Sequence, residues 1–506
     1  MLKSIRVILA VLSILALTFM FLDFTGLAVE WFDWLPKLQL IPALLAVNLV
    51  AVLVLAVITY LFGRLYCSVI CPLGIFQDIV IRIRGIFRSK KKRKLGAYRY
   101  TDAHSKLRLG FLGVFIVLLA LGLVGVIATS FAGLLDPYSA YGRMVGQFIV
   151  PGWRSGVETV AEKAAENGTY LLAGAAPVAP WSLAVAIVAA VTLIVVVVFA
   201  SRTGRGYCNT ICPVGTILGF LSRYSFFKVV IDTDKCNRCG SCGRHCKSEC
   251  INTKEHKIDY SRCVACMDCI GNCSQGAISF RRSPGRSEGT VRIVPDANRR
   301  AFLTGVAIAG AAIAVEAADK TTDGGLAPLK AKQPHRKTQA PVPAGAISLK
   351  HLTSHCTACQ LCISECPNGV LKPSTKAATF MQPTMEFTSG FCRPECTRCS
   401  EVCPAGAIIP ITKEEKSSIK IGTAKVNLKT CISAAFGQHC GNCERHCPTE
   451  AVKMVEVDGR MRPVVDENRC IGCGDCEYHC PSGTAGQLSA NTAAIYVVAC
   501  DVHQKI

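Results

Sequence analysis

The chain reads as an α-helical membrane domain followed by small α+β units built around cysteines, and three observations lead there. Of its 506 residues 51% are hydrophobic and only 18% charged, a balance too apolar for an average soluble protein and a length that suits several domains. Long apolar stretches stand in the first 200 residues. Thirty cysteines fall almost entirely in pairs or runs of four, where a secreted disulfide scaffold would scatter them.

The apolar stretches cover about 4–25, 41–62, 109–133 and 181–200. Each is near the 20 or so residues of a bilayer crossing, so four transmembrane helices are expected within residues 1–228. Orientation follows from the loops. Between the second and third stretches, RIRGIFRSKKKRKLGAYRYTDAHSKLR carries eleven Lys or Arg against one Asp, whereas loop 134–180 sets Arg143, Arg154 and Lys163 against four acidic residues. The basic loop is expected on the cytoplasmic side of a bacterial inner membrane, and both ends of the four-helix unit with it. Much of the net charge of +21 is then topology, and a nucleic-acid partner is not expected.

Two related motifs close the second and fourth stretches: GRLYCSVICPLG, with Cys67 and Cys71, and GRGYCNTICPVG, with Cys208 and Cys212. Their shared spelling, G-R-x-Y-C-x3-C-P-x-G, implies a duplicated helix pair. Residues four apart share a helix face, so each pair can offer two sulfurs to one ligand, or all four can converge. A metal ion, a further cluster, a redox-active dithiol and a surface that faces a quinone stay open here, as do buried structural thiols.

Beyond the fourth stretch, residues 229–285 hold CNRCGSCGRHC (Cys236, Cys239, Cys242, Cys246) and CVACMDCIGNC (Cys263, Cys266, Cys269, Cys273). Two C-x2-C-x2-C-x3-C runs within forty residues make the bacterial ferredoxin pattern. Three thiolates on a tight loop hold three irons of a cubane, and the fourth cysteine reaches the neighbouring cluster. Cys236, Cys239, Cys242 and Cys273 are expected to hold one [4Fe-4S] cluster, and Cys263, Cys266, Cys269 and Cys246 the other. Zinc also uses paired C-x2-C, but a third cysteine at the same interval is not its habit. Cys250 has no assigned role.

Residues 346–490 repeat the theme four times: Cys356, Cys359, Cys362 and Cys366; Cys392, Cys396, Cys399 and Cys403; Cys431, Cys440, Cys443 and Cys447; Cys470, Cys473, Cys476 and Cys480. The second and third runs have longer gaps before their second cysteine, yet each keeps four thiolates. Six [4Fe-4S] clusters are expected, and the fold class becomes an α-helical membrane domain plus α+β ferredoxin-like domains. GVLKP, GAIIP and AVKMV read as short closing strands. Haem attachment and phosphate-cradling glycine motifs are missing from the sequence, so electron transfer is a better reading than bond chemistry. Cys500 matches none of the runs.

At 296–318, NRRAFL precedes an uncharged run, Ala301–Val315. Arg299 and Arg300 look like a twin-arginine export signal whose apolar run forms a fifth crossing. Residues 319–345 read as a flexible linker to a four-cluster domain on the periplasmic side.

These residues carry a family resemblance. Residues 1 to about 285 resemble NapH, the membrane component of the quinol dehydrogenase that serves periplasmic nitrate reductase. Residues from about 298 to 490 resemble NapG and its relative MauM, the exported four-cluster partner. The membrane half also shares its cysteine pattern with NosR-type regulators and CcoG-like assembly proteins. The resemblance implies a quinol dehydrogenase component that takes electrons from menaquinol or ubiquinol and hands them to a periplasmic reductase or cytochrome. The alternative it allows is an electron donor in metallocofactor assembly or in regulation of a respiratory enzyme. It also implies that the first run of the four-cluster domain pairs with the fourth and the second with the third, with pairing of neighbours as the runner-up.

Overall fold

A computed structural model describes residues 2–23, 25–87, 98–167, 181–282, 322–323, 327–328, 332–335, 339–483 and 492–506. The segment 296–318, with Arg299, Arg300 and the expected fifth crossing, lies outside the described residues, as does most of 319–345.

The helices that matter for the site are α1 (Leu2–Leu22), α2 (Leu40–Leu45), α3 (Leu49–Phe62), α4 (Pro72–Phe87), α5 (Ser105–Val124), α6 (Pro137–Met144), α7 (Leu183–Thr203) and α8 (Pro213–Ser222). Three of them, α1, α5 and α7, are long and apolar enough to cross a membrane. Their outer faces are apolar and bare, as at Leu15, Val124 and Ile194, which suits contact with lipid tails. The expected crossing 41–62 is a correction: it is two helices, α2 and α3. Val47 takes a left-handed φ of 53°, and Asn48 then caps α3 by accepting from the Ala51 amide at 3.1 Å. A β-branched residue in that conformation cannot continue a helix. The third stretch likewise stops at Gly125 (φ 85°), short of residue 133.

Each long helix touches a cysteine-rich unit at both ends. At the start of α1, Lys3 pairs with Asp268 at 2.8 Å, while Phe21 near its end lies against Gly142 beside the Cys359 carbonyl. At the start of α5, Arg108 donates to Ser261 Oγ and O at 3.0 and 3.3 Å. Past its end, Thr129 N donates to Thr353 O at 3.0 Å. On α7, Val185 packs with Ala358 and Met381, and just beyond its far end Arg205 N donates to Lys247 O at 2.7 Å. The two-cluster and four-cluster units therefore sit at opposite ends of the bundle. The 20 residues of α5 separate them by about 30 Å.

The sequence did not foretell α6. Asp136 caps it, accepting from the Ser139 amide at 2.9 Å, and Pro137 opens it. All eight of its residues are buried. It fills the space between α4, α7 and the loop that carries Cys356 to Cys362.

In the two-cluster unit, strand Phe227–Ile231 pairs antiparallel with Ile278–Arg282, Val229 opposite Phe280. In the four-cluster unit, Leu371–Pro373 pairs with Pro383–Met385, and Val452–Val457 with Arg460–Val465 across an Asp458-Gly459 turn whose φ values are both positive, as a two-residue hairpin requires. GAIIP is not a strand. Instead Ile419–Val426 pairs with Ile495–Lys505, so this domain runs past the expected boundary at 490, and Cys500 lies in its last strand.

Candidate redox site

Local geometry first. In the four strictly spaced runs the residues two and four places after the first cysteine all have left-handed φ: Arg238 and Gly240, Ala265 and Met267, Ala358 and Gln360, Gly472 and Gly474. In five of the six runs the residue three places after the last cysteine does too: Glu249, Gly276, Gly369, Gly406 and Glu450. Non-glycine residues adopt this conformation at a cost, and they recur here because it turns successive backbone amides toward one concavity suited to an anionic group.

The sulfurs then fall into six groups of four. One small cavity is lined by Cys236, Cys239, Cys242 and Cys273, as the spacing predicts, and Cys269 lies within electrostatic reach of Cys266, Cys263 and Cys246, with Cys242 of the neighbouring group the weakest of the four. In the four-cluster unit a cavity is lined by Cys356, Cys359, Cys362 and Cys403, and another by Cys366, Cys392, Cys396 and Cys399. Cys443 lies within electrostatic reach of Cys431, Cys440 and Cys480, and Cys476 of Cys473, Cys470 and Cys447 as well as of the adjoining Cys443. The first run thus pairs with the second and the third with the fourth. This corrects the first-with-fourth, second-with-third pairing. A short strand hairpin joins the two runs of each pair, Leu371–Pro373 with Pro383–Met385 and Val452–Val457 with Arg460–Val465.

The donor set fits iron-sulfur clusters. A tetrahedral zinc site, with Zn–S near 2.3 Å, would draw its sulfurs to about 3.8 Å. Among the described residues, the group of three metal-ligand atoms found within 4.8 Å of one another is His446, Asp475 and His479, with no cysteine among them. Amides and cations also point at sulfur: Ala451 N to Cys447 at 3.1 Å, Ala494 N to Cys480 at 3.3 Å, and Lys416 Nζ to Cys392 at 3.1 Å. Such bonds raise a cluster's potential. Cys250, unassigned by spacing, sits 3.5 Å from Cys246 Sγ, and its hydrogen bond draws the Cys246 thiol down to about 7. It does the same in direction for Cys263.

The groups form a series. Cys392 N donates to Cys473 O at 2.9 Å, which joins the second pair's neighbourhood to the first. The group of Cys356, Cys359, Cys362 and Cys403 lies nearest the membrane domain. There Arg143, fully buried on α6, donates to Gly133 O at 3.0 Å and Ala358 O at 3.4 Å, and Tyr138 is in electrostatic reach of Cys359 and Cys403.

Cys67, Cys71, Cys208 and Cys212 are brought together at the starts of α4 and α8, and all are buried. The two motifs exchange arginines. Arg64 donates to Cys208 O at 3.2 Å and approaches Cys67 Sγ at 3.8 Å, and Arg205 donates to Cys67 O at 2.8 Å. The motif glycines make this fit possible, since a Cβ on Gly74 would meet Cys67 O at 2.2 Å and one on Gly215 would meet Cys208 O at 2.1 Å. Gln77 Nε2 reaches Cys208 Sγ at 3.1 Å. Arg64 and Arg205 stand in the quoted motifs, but nothing in their spelling says that each crosses to the other half.

A family model described as a 4Fe-4S binding domain matches residues 44–94 and 183–231, and one described as a 4Fe-4S dicluster domain matches 438–484. The methylamine utilization ferredoxin-type protein MauM of Methylobacillus flagellatus is 32% identical over 142 residues, 26% of this chain and 59% of its own. MauN of the same organism is 23% identical over 253 residues, 49% of this chain and 72% of its own. A putative electron transport protein of Escherichia coli, YccM, is 30% identical over 69 residues, 14% and 19% of the two chains. The chain thus spans about three fifths of MauM and about a fifth of YccM. No solved structure matches it.

Proposed function

For a chain that carries ferredoxin-type 4Fe-4S domains and is homologous to the MauM and MauN ferredoxin-type proteins, we propose that it conducts electrons across a membrane. They pass from a quinol near the two-cluster end to a reductase or cytochrome at the four-cluster end. It is an iron-sulfur electron transport protein, and six clusters held by the groups above would supply the one-electron carriers. The observation that carries the reading is the placement of the two units at opposite ends of α1, α5 and α7. With the basic loop 82–108 in the cytoplasm of a bacterial inner membrane, the four-cluster unit faces the periplasm, and Arg299 and Arg300 serve its export.

A groove between α1, α4 and the two-cluster unit supports a quinol as donor. Val7, Ala10 and Ile79 make an apolar wall, and Asp78, Lys247 and Asp268 close its polar end. Lys247 and Asp268 each adjoin a cysteine of the same cluster group, so a headgroup bound there lies beside an electron acceptor. The test is anaerobic: a menaquinol analogue is added to the detergent-held protein and reduction is followed by EPR and visible bleaching. Reduction at a turnover rate upholds the proposal. If dithionite reduces the clusters and quinol does not, the donor is something else.

The second reading, electron donation in metallocofactor assembly, has one observation in its favour: the His446, Asp475 and His479 group at the four-cluster end. Retention of a copper or zinc ion there, lost in His446→Ala, would favour it.

A further inference from the structure

We infer that Cys67, Cys71, Cys208 and Cys212 together hold a single iron-sulfur cluster, two ligands from each half of the membrane domain, which joins the two ferredoxin units. The inference deepens the proposed transfer across the membrane and rests on it for its role, though not for its chemistry.

The first argument is stoichiometric. The 4Fe-4S binding family model matches twice, over 44–94 and 183–231, but each half brings only two cysteines in its motif. Neither half alone can complete a four-thiolate site. The exchanged arginines bind the two loops into one unit, Arg64 on the Cys208 carbonyl and Arg205 on the Cys67 carbonyl, and all four cysteines are buried in it.

The second argument is charge. Arg64 is fully buried and, among the described residues, its partners are Asn209 Oδ1, Ser261 O, Cys208 O and Cys67 Sγ, none of them a carboxylate. Nearby, Asp78 takes Arg6, Arg205 and Lys247 at 2.8–2.9 Å and Asp268 shares Lys247 at 3.2 Å, so with Arg64 four buried cations face two carboxylates. Buried cations in excess of carboxylates are unstable unless an anion sits among them. A cluster ligated by four thiolates is such an anion, and neutral thiols are not.

The third argument excludes a single ion. Among the described residues, no three of these sulfurs are within 4.8 Å of one another, so they stand too far apart for one tetrahedral ion. A cluster spreads its thiolates over more than one iron.

Position gives the cluster its work. On one side Arg64 donates to the Ser261 carbonyl, two residues from Cys263. On the other, Tyr207 lies in electrostatic reach of Cys208, Cys212, Arg143 and Asp136, Tyr66 of Cys67, Cys71 and Asp136, and Tyr138 joins Asp136 to Cys359 and Cys403. The buried helix α6, packed on α4 and with Gly142 against the Cys359 carbonyl, thus lies between the quartet and the nearest group of the four-cluster unit. One electron enters from the Cys263 side and one leaves toward Cys359, with no bond made or broken.

The test is iron and acid-labile sulfide per chain, with Mössbauer and EPR spectra of the dithionite-reduced full-length protein. Wild type is compared with Cys67→Ser/Cys71→Ser, Cys208→Ser/Cys212→Ser and the quadruple variant. Each pair alone is expected to remove the same two to four irons as the quadruple change, about one cluster's content, while the signals of the ferredoxin clusters persist and show that the chain has folded. Losses that add between the two pairs, iron unchanged in all variants, or zinc in the quartet would each overturn the inference. Because the count needs no quinol, it stands or falls separately from the donor assignment. Loss of every signal in the serine variants calls for the Arg64→Lys variant, which keeps all ligands; an altered spectrum of one centre supports the shared cluster, and an unaltered set of spectra opposes it.

Discussion

The two ferredoxin units meet the membrane domain in opposite ways. At the two-cluster joint the contacts are ionic: Lys3 and Lys247 on Asp268, and Arg6, Arg205 and Lys247 on Asp78. At the four-cluster joint they are hydrogen bonds, between neutral side chains and backbone (Ser139 Oγ to Thr357 Oγ1 at 2.8 Å, Gln147 to Gln360 at 3.0 Å, Thr129 Oγ1 to Thr353 O at 2.6 Å) and from arginines onto carbonyls (Arg143 to Ala358 O at 3.4 Å, Arg398 to Thr25 O at 2.6 Å). The difference teaches that one joint is held by charge balance and the other by shape. A joint of buried charges is weakened by the loss of any one partner, while a closely packed joint is weakened by an added atom.

The largest effect is expected from Asp78→Asn, which leaves three cations without their shared carboxylate. A broken buried network of this kind costs about 3–5 kcal/mol, so thermal loss of cluster absorbance should begin at markedly lower temperature. A midpoint within a degree of wild type would mean that the ionic joint carries little.

Next comes Gly142→Leu on α6. A Cβ there would stand 2.4 Å from the Cys359 carbonyl oxygen, backbone that cannot swing aside, and overpacking of this kind costs about 3 kcal/mol. The prediction is slowed electron arrival at the four-cluster unit with the two-cluster signals intact; equal rates would show that α6 does not set the contact.

These two substitutions also mark where the sequence was legible and where it was not. Cysteine spacing reported the six runs because thiolate loops are local structures, and it left open whether Cys67, Cys71, Cys208 and Cys212 converge. Pairing of Cys356, Cys359 and Cys362 with Cys403 was not legible, since any of four similar runs could supply the fourth ligand and only packing decides. Nor was α6: Pro137–Met144 is too short and too mixed in polarity to read as a membrane element, and it is buried because Asp136, Arg143 and its small residues find partners on three sides. The break at Val47 lay in an apolar run in which its one sign was a single polar residue, Asn48, the cap of α3.

A smaller effect separates the joints by pH. Burial, with Lys416 adding to it, pushes the His503 imidazole down to about 4, below its unfolded value near 6.5. The stability this neutral histidine allows is complete above pH 6.5 and is lost as pH falls toward 4, on the order of 2 kcal/mol. His503→Gln should flatten that slope in a urea titration; an unchanged slope would place the acid response elsewhere. The smallest effect is expected from Lys3→Gln at the ionic joint, half exposed and worth about 0.5 kcal/mol, a loss that added salt should erase.

The most direct test of conduction through the membrane domain uses proteoliposomes that enclose ferricyanide, with a menaquinol analogue added outside. Wild type should reduce the enclosed ferricyanide, and the Cys67/Cys71/Cys208/Cys212 quadruple serine variant should not, although its external clusters still bleach with quinol. Equal reduction by the two proteins, or none by the wild type while its clusters bleach, would contradict the account.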